Sequence, residues 1–101
     1  MFYIYILFSE SSNVFYVGYS EDPYRRVVEH NTKPINTYTS KHRPWLLKAV
    51  FKCSTIRSEA IRIEKFIKKQ KSRRLLENLC DNSFIPSGAL AQLVRVPDIR
   101  D

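Results

Sequence analysis

Hydrophobic and polar residues form two strand-like runs at the start of the chain and then change to helical spacing. Residues 2–8 and 14–19 are rich in Tyr, Phe, Ile and Val, and the polar segment 9–13 separates them. Aromatic and β-branched residues favour strands, and a short polar segment favours the turn of a hairpin. The pattern therefore predicts that the first two strands form an antiparallel hairpin.

A short helix is predicted after the hairpin. Asp22 can cap its N-terminus and Pro23 can occupy its first position, where the missing N–H costs nothing. The helix is expected to end near His30. We expect Tyr24 and Val28 to face the core, because residues four positions apart share one face of a helix.

The middle of the chain predicts a loop, a strand and two more helices. Residues 31–44 hold two prolines and many small polar side chains, which favour a loop, and the apolar run 45–53 favours a third strand. Thr55 is predicted to cap a long helix, and Ser72 to begin the next one. The apolar positions expected to face the core are Ile56, Ala60, Ile63 and Ile67 on the long helix and Leu75, Leu76 and Leu79 on the next.

The predicted order of elements is ββαβαα. This order is typical of an α/β protein of the α+β kind, in which helices cover a small antiparallel sheet. The length of 101 residues allows one small domain. We expect residues 1–82 to form this domain and residues 83–101 to be a C-terminal appendage, with one short helix at 88–96 after a Pro and Gly break.

The charge of the chain is positive and unevenly distributed. Seventeen Lys and Arg stand against ten Asp and Glu, which gives a net charge of +7. Residues 57–74 alone hold eight basic and two acidic side chains. Such a segment favours a polyanionic partner, since binding releases condensed counterions, and nucleic acid is the leading candidate. A solvated helix face that only aids solubility is the alternative.

The cysteines and the N-terminal segment exclude two other classes of protein. Cys53 and Cys80 are too few and too far apart for a zinc site or a disulfide framework, so we expect reduced thiols in a cytoplasmic protein. The apolar start, residues 1–8, is too short to span a bilayer and has no cleavage site. It is interpreted as the first strand, and no membrane partner is expected.

Tyr5 and Tyr16 lie in the two strands of the predicted hairpin, and their relative position depends on register. Because side chains alternate between faces, the two tyrosines share a face only if the numbers of paired residues add to an odd sum. We predict a sum of 21, which places Tyr5 opposite Tyr16 and Tyr3 opposite Gly18. Aromatic cross-strand packing is the ordinary role of such tyrosines.

Two helical positions carry side chains that could act on a phosphate. Arg26 and His30 are four residues apart on one helix face, where a guanidinium suits phosphate binding and an imidazole can move protons. Glu64 flanks the apolar stripe of the long helix, so it is either a salt-bridge partner of Lys68 or a ligand for a hard cation. These alternatives stay open on spacing alone.

Five segments occur in an order that resembles the GIY-YIG nuclease domains, of the small single-domain type to which the UPF0213 and YhbQ proteins belong. The segments are YIY at 3–5, YVG at 16–18, EDPYRRVVEHN at 21–31, SKHRPWLL at 40–47 and SEAIRIEKFIKKQKSRR at 58–74. The resemblance covers about residues 2–80. It implies a three-stranded antiparallel sheet flanked by helices and divalent-metal-dependent hydrolysis of a DNA phosphodiester.

The resemblance also implies a set of site residues. By position, these are Tyr5, Tyr16, Arg26, His30 and Glu64 as catalytic residues and Gly18 as a structural one. Glu64 would hold one Mg2+ or Mn2+, and Arg26 would neutralise charge on the phosphate. Tyr5 is the expected general base and Tyr16 would orient the phosphate or the water, although the two can exchange roles, and His30 could assist either. Nearby cations would have to lower the pKa of the tyrosine that acts as base.

The leading functional prediction is therefore a DNA endonuclease that selects its substrate by structure. The rival is a basic nucleic-acid-binding module that keeps the fold but does not cut, and a third option is a structural or partner-binding protein. The cations expected to contact DNA are Arg25, Lys41, Arg43, Lys65, Lys68, Lys69, Lys71, Arg73 and Arg74. A protein partner that supplies specificity is also expected.

Overall fold

The computed structural model of the chain describes residues 1–34 and 38–97. The strands are β1 (Phe2–Ser9), β2 (Val14–Ser20), β3 (Leu46–Ser54) and β4 (Val94–Arg95). The helices are α1 (Pro23–Thr32), α2 (Tyr38–Lys41), α3 (Arg57–Lys69) and α4 (Arg73–Leu79), followed by a single 3-10 turn at Gly88–Leu90. The predicted hairpin, third strand and three main helices are all present, and α2 is a short addition inside the predicted loop.

The sheet has four antiparallel strands in the order β2-β1-β3-β4, where the sequence predicted three. The fourth strand comes from the C-terminal segment and pairs with Phe51 and Lys52 of β3. The helix predicted at 88–96 is therefore wrong. Leu90 and Leu93 are buried in the core, and burying them close to β3 holds the segment extended beside the sheet.

Arg95 fixes this fourth strand in place. Its guanidinium donates hydrogen bonds to the carbonyl oxygens of Leu79, Asp81 and Phe84 at 2.9, 2.8 and 3.1 Å. The same group lies over the Phe51 ring at 4.7 Å, a cation–π contact. Strand β4 is consequently held by the turn that follows α4, an interaction between segments too distant in sequence to follow from the local pattern.

The register of β1 with β2 confirms the odd sum but not its value. Paired residues add to 23, so Tyr5 lies opposite Gly18 and Leu7 lies opposite Tyr16. The predicted pairs of Tyr5 with Tyr16 and of Tyr3 with Gly18 are wrong by one step of two residues. Because a shift of two preserves the alternation of faces, Tyr5 and Tyr16 still share a face, with ring centroids 6.5 Å apart.

Helix α1 begins as predicted but turns a different face to the core. Asp22 caps it by accepting a hydrogen bond from the Arg25 amide, and Pro23 stands in its first turn. Tyr24 and Val28, predicted to be core residues, are 46% and 60% exposed, whereas His30 is only 6% exposed. His30 faces the sheet instead and contacts the Tyr5 hydroxyl, while Val27 is the apolar residue of α1 that packs against this side of the core.

Helices α3 and α4 differ in how their N-termini are capped. Ser72 caps α4 through a hydrogen bond from the Leu75 amide, as predicted. The prediction for α3 is wrong, because its N-cap is Ile56 rather than Thr55 and no side chain caps it. Instead Ser54 accepts a hydrogen bond from the Ile56 amide and shapes the turn before the helix.

The core has one cluster on each face of the sheet. Ile63 and Ile67 of α3 pack with Ile4 and Phe51 on one face. On the opposite face, next to α1, Tyr5 packs in a cluster whose other buried members are Leu7, Trp45, Leu47 and Val50. Within the described ranges, no helix combines the length and the apolar character needed to cross a membrane.

Candidate active site

Tyr5 lies at the centre of the candidate site. Its ring is buried in the sheet face next to α1, and its hydroxyl oxygen lies 3.0 Å from Nε2 of His30. The His30 ring also meets Tyr16 edge-on, with centroids 4.9 Å apart. Strand β1, strand β2 and helix α1 thus bring three predicted catalytic residues into one cluster.

Gly18 is required where it stands because Tyr5 lies directly against it. A Cβ atom on this residue would stand 2.4 Å from both Cζ and Oη of Tyr5, far inside van der Waals contact. The glycine therefore makes room for Tyr5 and not, as the predicted register implied, for Tyr3. The Tyr5 hydroxyl therefore lies next to the Gly18 backbone, at the lining of the pocket.

Burial favours the uncharged form of both members of the Tyr5–His30 pair. Desolvation, joined by the nearby Tyr16, raises the pKa of Tyr5 to about 12, although the Arg26 guanidinium acts in the opposite direction. Desolvation and then the charge of Arg26 lower the pKa of His30 to about 4. The expectation that cations would lower the pKa of the base is wrong for Tyr5, because desolvation outweighs Arg26.

Arg26 is held in position by Glu29, one turn along α1. Its Nη1 donates to Oε1 of Glu29 at 2.5 Å, and the other carboxylate oxygen accepts from Nη1 of Arg25 at 2.8 Å. The hydrogen bond from Arg26 keeps the pKa of Glu29 below its usual range. Two arginines are thereby directed toward the pocket by a single carboxylate, which offsets part of their charge.

Glu64 comes from the helix on the other side of the sheet. Since Ile63 and Ile67 of α3 pack on the face opposite to Tyr5, Glu64 joins the site at β2, which is an edge strand. Its side chain is 15% exposed, and its Oε1 lies 3.4 Å from the ammonium of Lys68. The salt bridge considered from the sequence is therefore formed, and Lys68 also lies over the Tyr16 ring at 5.4 Å.

An open pocket of about 530 Å3 gathers these groups. Of the predicted set, it is lined by Tyr5, Tyr16, Gly18, Arg26 and Glu64. His30 does not line it but stands behind Tyr5 as its hydrogen-bond partner. The predicted residues thus bring two phenol groups, a guanidinium and a carboxylate to the pocket, a set that can bind a phosphate and move a proton. Tyr19, Glu21, Arg25 and Arg57 line the pocket as well.

The donor set fits a weakly held hard cation and not a closed metal centre. In the part of the chain that the structure describes, no three His, Cys, Asp or Glu side chains come together as a metal site. Mg2+ commonly keeps several waters and binds through one or two carboxylates plus the phosphates of its substrate. The half-buried carboxylate of Glu64 satisfies that requirement, provided that the Lys68 ammonium gives way.

Arg57 is a pocket residue that the sequence did not single out as a site residue. It lies at the start of α3, lines the pocket and places its guanidinium over the Phe2 ring at 5.2 Å. Its position in the most basic segment was the only signal available. Which of the eight basic side chains of that segment reaches the pocket depends on how α3 crosses the sheet.

Asn31 and Trp45 form a second feature that the sequence analysis missed. The Asn31 side chain donates to the Trp45 carbonyl at 3.0 Å and accepts from the Trp45 amide at 2.6 Å. The indole N–H of Trp45 in turn donates to the Thr39 carbonyl at 2.8 Å, and its ring packs 6.0 Å from Tyr16. Asn31 of the segment EHN therefore fixes Trp45 of the segment HRPW, and the Trp45 ring packs against Tyr16.

The cations predicted to contact DNA have different surroundings. Exposed side chains without an acidic partner among residues 1–34 and 38–97 are Lys41, Lys65, Lys69, Lys71 and Arg74. Two others are bound to backbone. Arg43 donates from Nε to the His30 carbonyl at 2.6 Å and from Nη2 to the Lys33 carbonyl. Arg73 donates to the Asn13 carbonyl at 2.8 Å, so its guanidinium holds the β1–β2 turn.

Comparisons with known proteins agree on one family. Residues 1–78 match the family model described as the GIY-YIG catalytic domain. The chain is also 38% identical over 79 residues to a UPF0213 protein of Enterococcus faecalis, a match that covers 72% of this chain and 88% of that protein. The family-model match spans β1, β2, α1 and α3, the elements that form the pocket. Together the two matches confirm the resemblance drawn from the five motif segments.

Proposed function

This chain belongs to the family of GIY-YIG catalytic domains, and on that premise we propose that it is an endonuclease that hydrolyses DNA phosphodiester bonds with Mg2+ or Mn2+. The observation that carries the proposal is the pocket that Tyr5, Tyr16, Arg26 and Glu64 share. These four side chains come from four elements, and only the folded sheet brings them together. Nuclease activity in general is what the family indicates, and the substrate and cofactor are our proposal.

Arg26 is assigned to the phosphate. Its guanidinium lines the pocket and is oriented by the 2.5 Å hydrogen bond to Glu29. Fixed donors that face developing negative charge lower the barrier of phosphoryl transfer, because they need not reorganise during the reaction. A divalent ion bound at Glu64 would supply further positive charge to the phosphate and the leaving oxygen.

The two tyrosines are assigned different roles. Tyr5 keeps its proton at neutral pH, since its pKa is raised to about 12. With the His30 tautomer that carries its proton on Nε2, the imidazole donates to the Tyr5 oxygen, and the Tyr5 hydroxyl donates its own proton to a phosphoryl oxygen. Tyr16 is more open to the pocket and lies beside Lys68, so proton removal from the attacking water is assigned to it. This assignment reverses the one first expected from the motifs.

A non-catalytic nucleic-acid-binding module is the second candidate. The observation that favours it is the ion pair between Glu64 and Lys68 at 3.4 Å, which already occupies the carboxylate that a metal ion would need. If that pair persists when nucleic acid binds, the protein would keep the cationic surface and lose the reaction. A protein partner that supplies specificity remains compatible with either function.

A cleavage experiment with matched variants tests the proposal. The purified protein is incubated with supercoiled, single-stranded and branched DNA in the presence of Mg2+ or Mn2+. Glu64→Gln removes the pocket carboxylate, whereas Glu59→Gln changes an exposed glutamate on the same helix that pairs with Arg62. We expect wild type and Glu59→Gln to cut and Glu64→Gln to lose activity by at least about a hundred-fold.

The other outcomes separate the candidates. Equal cutting by Glu64→Gln and Glu59→Gln would refute the assigned site. Salt-sensitive DNA binding without cutting by any of the three proteins would support the binding module instead. A preference among the three DNA forms that survives in Glu59→Gln would establish selection by structure.

A further inference from the structure

A second groove adjoins the candidate active site. It has a volume of about 550 Å3 and lies between β2 and the junction of α3 with α4. Tyr16 lines this groove as well as the active-site pocket, so the two cavities meet at Tyr16. Lys68 lines the groove and pairs with Glu64 of the pocket at 3.4 Å. A chain that passes through the pocket could therefore place its next unit in the groove.

The walls of the groove are mostly apolar and include the exposed ring of Tyr38. Phe15 contributes a half-buried ring that packs against Phe8, with centroids 4.8 Å apart. Tyr38 is 51% exposed and rests on the His42 ring at 4.5 Å. Ile67 and Leu76 complete the apolar wall. Arg73 lies over the Phe15 ring at 5.2 Å, so Tyr38 provides the exposed ring that is suited to stacking against a flat ligand.

The rim of the groove is cationic. Lys68, Lys71 and Arg73 line it, and within the described residues no acidic side chain does. Lys68 pairs with Glu64 and Arg73 with Glu77, each at 3.4 Å, so Lys71 carries the rim's unpaired charge among the described residues. Lys71 lies in the turn between α3 and α4, where its φ of 49° holds it in the left-handed region, and none of the described carboxylates pairs with it. An apolar, aromatic wall under a positive rim complements a nucleotide, which joins a flat base to a negative phosphate.

We propose that this groove binds the base of an unpaired nucleotide next to the scissile phosphate. The inference rests on the proposed nuclease function, because that function places a phosphate at the pocket on the other side of Tyr16. A base inside a duplex is stacked and paired, so it cannot reach a side groove without leaving the helix. The substrate strand must consequently be unpaired for at least one nucleotide beside the cut.

Two side chains divide the recognition between them. Tyr38 contacts the base, so its loss weakens binding only when a base is present. Lys71 contacts the backbone phosphate, so its loss weakens binding whether or not a base is present. This difference makes the ratio of two affinities, rather than either affinity alone, the measure of the subsite.

Fluorescence anisotropy in the absence of divalent metal ions tests the subsite without cutting. A short single-stranded oligonucleotide and an abasic strand of the same length are titrated with the full chain. Wild type is expected to bind the base-containing strand about ten-fold more tightly. Tyr38→Ala should reduce that ratio to less than about two-fold, whereas Lys71→Met should weaken both complexes and preserve the ratio.

Matched controls come from residues that line neither of the two cavities. Tyr24→Ala removes another exposed tyrosine, and Lys52→Met removes another exposed lysine, and neither residue lines the groove. Both variants should keep the wild-type ratio. Equal affinity of wild type for the two strands would overturn the subsite, as would an equal effect of Tyr38→Ala and Tyr24→Ala, and the groove would then suit another occupant such as an apolar side chain of a protein partner.

Failure of the subsite and failure of the nuclease proposal give different results. A base-dependent affinity without any metal-dependent cutting would retain the subsite and refute the nuclease. Glu64-dependent cutting with no base dependence would do the reverse. The wild-type ratio decides the first question even if the Tyr38 variant does not fold.

Discussion

The hydroxyl oxygen of Tyr5 lies 3.0 Å from Nε2 of His30, a contact between the first strand and the first helix across 25 positions of sequence. Both groups are buried and neutral at pH 7, and burial favours the neutral form of each. The contact therefore leaves Tyr5 with a proton and a fixed direction. It turns an aromatic strand residue into an oriented donor at the floor of the pocket.

Removing the Tyr5 hydroxyl should affect catalysis much more than stability. Tyr5→Phe deletes one donor at the pocket and leaves the ring packing in place, so we expect a loss of activity of about a hundred-fold or more. The free energy of unfolding should fall by only about 1 to 2 kcal/mol, since His30 loses a partner. Tyr24→Phe, on the exposed face of α1, should change neither the cleavage rate nor urea unfolding. Wild-type cleavage by Tyr5→Phe would exclude the proposed role.

His30 should make the protein less stable as the pH falls from 6.5 to 4. Its pKa is about 4 in the folded chain and near 6.5 in the unfolded chain, so below 6.5 the unfolded state takes up a proton first. This pKa difference lowers the free energy of unfolding by up to about 3 kcal/mol as the pH falls, and above pH 6.5 it has no effect on stability. Urea unfolding at several pH values should show the slope in wild type and a flatter one in His30→Gln, in which the carboxylates still titrate. Identical slopes would show that His30 is not held neutral.

The two glycines of the chain provide a matched pair of substitutions. Gly18→Ala would bring a Cβ to 2.4 Å from Tyr5, whose ring cannot move without breaking the contact with His30. We therefore expect the free energy of unfolding to fall by roughly 1 to 3 kcal/mol and the cleavage activity to be lost. Gly88→Ala has open space but a φ of 60°, so it should cost about 1 kcal/mol and keep full activity. Cleavage assays and urea unfolding of both variants test this, and an active Gly18→Ala would contradict the close approach.

Replacing Arg73 should destabilise the protein more than replacing Arg74, although the two residues are adjacent and carry the same charge. Arg73 donates to the carbonyl and the side-chain oxygen of Asn13 at 2.8 and 2.7 Å and lies over Phe15 at 5.2 Å. Arg73→Ala should therefore lower the free energy of unfolding by about 1 to 2 kcal/mol, while Arg74→Ala changes it by less than about 0.5 kcal/mol. Thermal unfolding compares the two, and equal melting temperatures would mean that the turn does not depend on Arg73.

The sequence by itself determined the first three strands and the three main helices, with most of their ends. Alternation with a period of two predicted the hairpin, spacing near 3.6 predicted the helices, and Asp22 and Ser72 act as caps as expected. The shared face of Tyr5 and Tyr16 also followed, because it depends only on parity. These features are local, so a few neighbouring residues are enough to fix them. The order of the five motif segments identified the family, because that order can be read directly from the sequence.

Only the tertiary structure decided which residues meet. The pairing of Tyr5 with Gly18, the exposure of Tyr24 and the fourth strand at Val94–Arg95 all depend on contacts between distant segments. The protonation of Tyr5 and the ion pair of Glu64 with Lys68 likewise depend on burial and on groups from other elements. Two registers that differ by two residues have the same hydrophobic pattern. The same pattern is also compatible with a helix residue that reaches either edge of the sheet. The energy that selects among such arrangements comes from packing over the whole fold.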